Sequence, residues 1–185
     1  MKWIVGAQMR TRLFGACMVS AACLMVLVTT SSAVAQVRPL HAWGPSNLDT
    51  TANGNFRGAR ITSRAQLDSM KRVLGITTVI NLAKDALPRK GESEIDWCRD
   101  LGLTYVSVYL GSKPPKQEDW ERIRAALDEG KAYVHCAHGA DRTGAIIAQY
   151  RVEREGMSSE AAYREARRYG FKPWLRDLRA WFGHP

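Results

Sequence analysis

The chain is short of cysteine, with four in 185 residues, and Cys17 and Cys23 lie in an apolar N-terminal stretch. Two remaining thiols, Cys98 and Cys136, are too few for a disulfide scaffold of the kind that holds small secreted domains together. There is no internal repeat, which excludes solenoids and propellers. No run of Lys and Arg interleaved with aromatics forms a recognisable nucleic-acid module, so nucleic acid is not an expected partner. The glycines Gly139 to Gly144 are not followed by Lys and Ser or Thr, so they do not form a Walker-type nucleotide loop.

The N-terminus has its own character. Lys2, Arg10 and Arg12 precede an uncharged apolar run from Leu13 to Val28, and Ala33-Val34-Ala35 offers a small-x-small cleavage pattern. This reads as a signal peptide over residues 1–35, cut before Gln36, and predicts an exported, periplasmic or secreted protein. The apolar run is short of the roughly 20 residues of a membrane span, so no stable membrane insertion is expected after cleavage; an uncleaved anchor is the alternative. Of 27 basic and 18 acidic residues the leader takes three basic and no acidic ones, leaving 24 against 18. A moderately basic domain of about 150 residues suits an anionic ligand and forms one core.

Residues 36–55 are rich in Pro, Gly, Asn and Thr without a sustained period, and read as an irregular lead-in to a domain over 56–185. A regular alternation follows. Phe56 to Ile61 reads as a short edge strand. Ser63 to Leu74 carries Leu67, Met70, Val73 and Leu74 at helical spacing, with Ser63 as N-cap and Gly75 as stop. Ile76 to Ala83 reads as a buried strand, Glu92 to Leu101 as a helix, "LTYVSVYL" as a strand, Gln117 to Glu129 as a helix and "AYVHC" as a strand. Three helical segments close the chain: Thr143 to Glu155, Ser158 to Tyr169 and Trp174 to Phe182. The predicted class is α/β, a central mainly parallel sheet flanked by helices with a helical C-terminal part. Ligands of such sheets bind beyond the carboxyl ends of the strands, where three loops are available: 84–91, 111–116 and 136–142.

The third loop concentrates the chemistry in "YVHCAHGADRTGAIIAQY", residues 133–150. A strand-to-helix turn aims backbone N–H groups and the positive end of a helix dipole at one cavity, which favours an anion. Gly139 and Gly144 fit a tight turn and close backbone approach. Arg142 can grip two oxygens of a tetrahedral oxyanion without any metal. A free thiol titrates near about 8.5, and the same helix N-terminus and arginine make the Cys136 thiolate accessible. Thr143 can donate a hydrogen bond to that thiolate, and His135 can brace the loop from behind. A purely structural cysteine would leave Arg142 and the glycines unexplained. A metal cluster of His135, Cys136, His138 and Asp141 matches no standard zinc spacing, and adjacent residues at a strand end point apart. No metal and no cofactor are therefore expected.

The ten residues "HCAHGADRTG" resemble the H-C-x-x-G-x-x-R-[ST]-G signature of the cysteine-dependent protein tyrosine and dual-specificity phosphatases. "FRGARI", the helix after it and "LGITTVINL" are similar to the opening of the compact dual-specificity type of bacteria, plants and fungi, so the resemblance runs from about Phe56 to Tyr150. It implies a phosphatase fold and a phosphoric monoester hydrolase in which Cys136 forms a phosphocysteine that water then hydrolyses. It further implies that Ala137, His138, Gly139, Ala140, Asp141 and Arg142 bind the phosphoryl group of a phosphorylated protein, on phosphotyrosine or with dual specificity. Alternatives are a phosphoinositide or inositol polyphosphate phosphatase, a rhodanese-like sulfur transferase, and a non-catalytic phosphate-binding module.

Such phosphatases need a general acid, usually an Asp from an earlier loop. Here that loop reads "LGSKPPKQED" and its apex holds none. Asp141, before Arg142, resembles the acid proposed for myotubularin-type and some bacterial phosphatases; Asp119 is the alternative, and each could instead serve as an ion pair or a cap. Lys84, Arg89, Lys90, Lys113 and Lys116 on the other two loops either widen an anionic site or are solvated. Cys98 reads as core beside Ile95 and Leu101, with a regulatory Cys98–Cys136 disulfide as a further possibility in an oxidising compartment.

Overall fold

The computed structural model describes residues 43–84 and 93–185. The leader and the predicted cleavage site, as well as Arg89 and Lys90, lie outside the described residues.

A five-stranded sheet in the order β1-β2-β5-β3-β4 forms the centre. Its strands are β1 (Asp49–Thr50), β2 (Phe56–Gly58), β3 (Thr78–Asn81), β4 (Thr104–Ser107) and β5 (Ala132–His135). β5 runs parallel to β2 and β3, β3 runs parallel to β4, and only β1 is antiparallel, on β2. The helices are α1 (Arg64–Leu74), α2 (Glu94–Asp100), α3 (Gln117–Asp128), α4 (Asp141–Glu155), α5 (Ser159–Arg168) and α6 (Arg176–Trp181). The α/β class with a helical C-terminal part is what the alternation in the sequence predicted.

Local signals set the helix ends. Ser63 accepts from the Gln66 N–H at the start of α1, and Gly75 ends it with a left-handed φ of 69°. Ser93 and Asp96 form a reciprocal capping box on α2. Ser158 accepts from the Ala161 N–H at the start of α5.

The alternation of side chains along each strand divides the core. Ile80, Leu82, Val108, Val134 and Cys136 face α3 and α4, packing on Trp120, Ile123, Leu127, Ile146 and Ile147. Val79 and Tyr133 face the other way, toward Leu67 and Met70 of α1 and Trp97 and Cys98 of α2. A third cluster joins α4 to α5 and α6 through Ala145, Ala148, Ala162, Ala166, Phe171, Leu178 and Phe182. The chain thus crosses over one face through α1 and α2 and returns over the other through α3. The loops leaving the adjacent strands β2 and β5 diverge to opposite faces, which opens a crevice at their carboxyl ends.

Two expectations change. Phe56 to Ile61 is not an edge strand: β2 is limited to Phe56–Gly58 and is covered by β1. Part of the expected irregular lead-in belongs to the fold, because Leu48 is fully buried and β1 closes the sheet edge. Fully buried Asn55 adds to this, accepting from the Ala132 N–H at 2.9 Å and donating to the Leu127 carbonyl at 2.9 Å. Polar side chains satisfying backbone groups of distant elements leave no hydrophobic period, so this region carries no strand pattern in the sequence.

Candidate functional site

The segment 136–142 leaves the end of the central strand β5 and enters α4 within a few residues, so its backbone must curl. Gly139 takes φ 69°, and the loop lies so close to the β2 exit that an added Cβ would stand 2.5 Å from the Gly58 oxygen and 2.7 Å from the Ala59 nitrogen. Gly139 is therefore a glycine for both reasons: the left-handed backbone and the close approach. Gly144 is different. It sits inside α4, where an added Cβ would meet Phe171 at 3.4 Å and Ala166 at 3.6 Å, so it is a helix-packing residue and not part of the turn.

Cys136 is buried at the foot of the loop. Burial pushes its thiol up, but hydrogen bonds from the Thr143 hydroxyl and from the N–H groups of Thr143, His138 and Gly139 outweigh it, and the thiol is more acidic than an ordinary cysteine. The Thr143 hydroxyl is fully buried, and its proximity to the sulfur is one of the causes that lower the thiol's pKa. The loop is a cup of N–H donors around a sulfur at a helix N-terminus.

Arg142 opens α4 and is partly exposed, with its guanidinium 5.9 Å from the Tyr109 ring centroid. No described residue makes a hydrogen bond or ion pair with it, which leaves its donors free for an anion. Ala137, Ala140 and Asp141 are partly exposed, and His138 is exposed at the rim.

Side-chain alternation on β5 turns His135 away from Cys136, toward α2. Its Nε2 lies 3.1 Å from a Glu94 carboxylate oxygen, and Nδ1 is 3.4 Å from the Cys136 carbonyl oxygen. The Tyr105 hydroxyl donates to Glu94 at 3.1 Å and accepts from Asn81 at 2.9 Å, while Asn81 Oδ1 accepts from the Ala83 N–H. His135 is thus one end of a part-buried polar chain whose other members, Glu94, Tyr105 and Asn81, carried no motif. The same alternation separates His135 from Cys136, and no group of three or more metal-ligating side chains converges among the described residues.

The two carboxylates considered as acids are both engaged. Asp141 Oδ1 accepts the Lys172 N–H at 2.9 Å, and its Oδ2 is 3.7 Å from the Lys172 ammonium. Asp119 lies in the first turn of α3, 3.4 Å from Arg122. Lys84, Lys113 and Lys116 are exposed.

The Cys98–Cys136 disulfide is a correction. Cys98 is enclosed among the α1 and α2 side chains on one face of the sheet, and Cys136 faces α3 and α4 on the other. The sheet stands between them, so neither can reach the other's Cβ without dismantling the core. Both are free, and burial pushes the Cys98 thiol up to about 12.

Comparison with known proteins bears on this site. No family model matches the chain. It is similar to the dual specificity protein phosphatase TpbA of Pseudomonas aeruginosa, being 30% identical over 125 residues to that of strain UCBPP-PA14 and 40% identical over 126 residues to that of strain PAO1. Each match covers 63% of this chain and 53% of the relative, so the chain spans about half the length of the curated relatives it matches. Among solved structures, P. aeruginosa TpbA superposes with a TM-score of 0.59 at 23% identity, covering 76% of this chain and 89% of TpbA. The core catalytic domain of the PP-IP phosphatase Siw14 from S. cerevisiae gives 0.62 at 16% identity, covering 77% and 87%. PTPMT1 in complex with PI(5)P gives 0.60 at 16% identity, covering 74% and 95%. These structural likenesses establish the fold. The chain thus has the fold of these phosphatases and is similar in sequence to dual specificity protein phosphatases over the part that matches.

Proposed function

We propose that this protein is a phosphoric monoester hydrolase that works through a cysteinyl-phosphate on Cys136, with phosphotyrosine, alone or together with phosphoserine and phosphothreonine, as its substrate. The observation that carries this reading is the Cys136 sulfur ringed by the Thr143 hydroxyl and three loop N–H groups beside an unengaged Arg142. Pure phosphate binding has no use for an acidified thiol.

The thiolate attacks phosphorus, an S–P bond forms, and the P–O bond to the leaving group breaks; the leaving oxygen takes a proton from the general acid. Water then attacks phosphorus, giving a proton back to that carboxylate, and the S–P bond breaks to restore the thiolate and free phosphate. The loop amides and Arg142 hold the phosphoryl oxygens throughout, so charge is balanced without a metal. Asp141 is the first choice as acid because it belongs to the loop itself, with Oδ2 as the oxygen not bonded to the Lys172 N–H. Substituting Asp141→Asn then flattens the acid-dependent limb of the pH–rate profile; an unchanged profile, with Asp119→Asn altering it, reverses the assignment.

Tyr109, 61% exposed beside Arg142, supports an aryl substrate by offering an aromatic face at the rim. A TpbA variant has been crystallised with phosphotyrosine. The second reading is an inositol polyphosphate or phosphoinositide substrate, supported by exposed Lys84, Lys113 and Lys116 on the neighbouring loops. The PP-IP activity in the name of Siw14 and the lipid bound to PTPMT1 belong to those proteins and motivate the comparison.

The first experiment is hydrolysis of para-nitrophenyl phosphate by the wild type and by Cys136→Ser. Turnover lost in the variant supports the reading; no turnover by the wild type refutes it in favour of a binding module. Release of thiocyanate from thiosulfate and cyanide would instead identify a sulfur transferase. Phosphate release from phosphotyrosine, phosphoserine and phosphothreonine peptides, phosphoinositides and inositol phosphates ranks the substrates. Residues 1–35 are part of the proposal as a cleaved export signal, and a mature protein beginning at Gln36 is the expected result of N-terminal sequencing.

A further inference from the structure

Three consecutive carbonyl groups of the loop are held by one upstream segment. The Ala137 oxygen accepts from the Arg60 N–H at 3.4 Å, the His138 oxygen from Asn47 Nδ2 at 2.9 Å, and the Gly139 oxygen from Arg57 Nη2 at 2.6 Å. In a trans peptide the C=O of one residue and the N–H of the next point in opposite directions. Drawing the first two carbonyls outward therefore turns the His138 and Gly139 N–H groups inward, and those are two of the amides on the Cys136 sulfur. The third carbonyl, on Gly139, governs the N–H of Ala140, the next donor around the cup and the one nearest the start of α4.

We infer that Arg57 is a positioning residue of this site: gripping the Gly139 carbonyl from beneath, its guanidinium turns the Ala140 N–H into the cavity to meet a phosphoryl oxygen. The inference rests on the phosphatase reading for its meaning and on the buried geometry for its support.

Arg57 lies on β2 and is 1% exposed. Its guanidinium carbon sits 3.7 Å from the centroid of the Tyr169 ring, and the Tyr169 hydroxyl donates to Asp49 at 2.6 Å. Nε and Nη1 are buried without a partner, so this cation is not there to complete a structural hydrogen-bond set. The groups facing it are Tyr169 and Glu165 from the α5 side, Cys136 from the loop and Asp49 from β1. Burial pulls its pKa down to about 10, which leaves it charged at neutral pH. A buried cation with unmet donors opposes folding and is kept where something else depends on it. Here the dependent feature is a rigid ring of amides, which binds an oxyanion without reorganising.

The test uses Arg57→Met, which keeps length and removes charge and donors, and Arg57→Lys, which keeps the charge without the planar fork. The readout is the concentration of inorganic phosphate that half-protects Cys136 from iodoacetamide, followed by mass spectrometry, a measure of oxyanion affinity that needs no turnover. Arg57→Met is expected to need about tenfold more phosphate, the loss of one charge-supported amide contact, with Arg57→Lys in between. A purely structural role would lower the melting temperature and leave half-protection of the folded protein unchanged; that result overturns the inference. Should Arg57→Met fail to fold, Tyr169→Leu removes the ring beneath the guanidinium while Arg57 remains. A several-fold weaker phosphate protection in that variant supports the inference, and an unchanged value overturns it. A wild type that binds phosphate but hydrolyses no phosphoester removes the proposed function and leaves this inference standing. An active wild type with unchanged phosphate protection in the Arg57 variants does the reverse.

Discussion

Replacing Gly139 with alanine puts a methyl group where the β2 exit already runs. The added carbon would lie 2.5 Å from the Gly58 oxygen and 2.7 Å from the Ala59 nitrogen, both backbone atoms that cannot rotate aside as a side chain would. The left-handed φ of 69° adds its own cost of about 1–2 kcal/mol for a residue with a Cβ. Relieving the overlap by backbone shifts costs about 1–3 kcal/mol more. Gly139→Ala is therefore expected to destabilise the fold by roughly 2–5 kcal/mol, lowering the melting temperature by about 5–15 °C for a domain of this size. Urea denaturation followed by circular dichroism measures the first quantity and a thermal scan the second. Gly144→Ala is the control, since its added carbon meets Phe171 at 3.4 Å and Ala166 at 3.6 Å, and alanine favours the helix by about 0.5–1 kcal/mol over glycine. It should stay within about 1 kcal/mol of the wild type. A Gly139→Ala protein as stable as Gly144→Ala would refute the close approach of the loop to β2, and with it the account of how the cup is held.

Thr143→Val keeps the shape of a buried side chain and removes the hydroxyl on the sulfur. A hydrogen bond to a charged group is worth about 1.5–3 kcal/mol, and the higher nucleophilicity of the less acidic thiolate offsets about half of that, so iodoacetamide should react with Cys136 several-fold more slowly below the pH at which the thiol titrates. Equal rates would exclude the contact. Cys98 should resist alkylation in the native protein and react only on denaturation, because its thiol is pushed up to about 12 by burial. That raised value also carries a sign. The folded state keeps the Cys98 proton while the unfolded chain loses it, so this contribution is fully present below pH 9 and is lost as pH rises toward 12. Cys98→Ala should make the alkaline fall in the urea midpoint shallower over that range, whatever its effect on stability at neutral pH. Glu94→Ala removes the partner of the buried His135 Nε2 and should cost about 1–3 kcal/mol, read as a lower urea midpoint.

Much of the site was legible because its chemistry is local. Cys136, Thr143 and the loop amides lie within eight residues, and a strand-to-helix turn brings such neighbours together whatever surrounds it. Cys136, Arg142 and Thr143, at the end of β5 and the start of α4, needed only the helix start to be aimed. The residues that support the loop were illegible because they lie far off in sequence: Arg57 bonds Gly139 across 82 positions and Asn47 bonds His138 across 91. Arg57 stood inside the quoted "FRGARI" without a role. A charged residue on a short strand looks solvent-facing, and only the closure of β1 over one side and Tyr169 over the other buries it. Asp141 has a partner that its place before Arg142 does not announce: Lys172, 31 positions on.

By itself the amino-acid sequence determined the alternation of strands and helices, the ends of α1 and α5 through Ser63, Gly75 and Ser158, and the constellation of thiol, hydroxyl and guanidinium in one turn. These follow from periodicity, capping and short loops, which act between residues a few positions apart. The tertiary structure alone decided that Gly139 and Gly144 do different work and that Cys98 and Cys136 are divided by the sheet. It also decided that the stretch from Asn47 to Arg60 holds three loop carbonyls outward. Each of these depends on which faces and strand ends are brought together, and strand order and packing set that, beyond the reach of any local pattern.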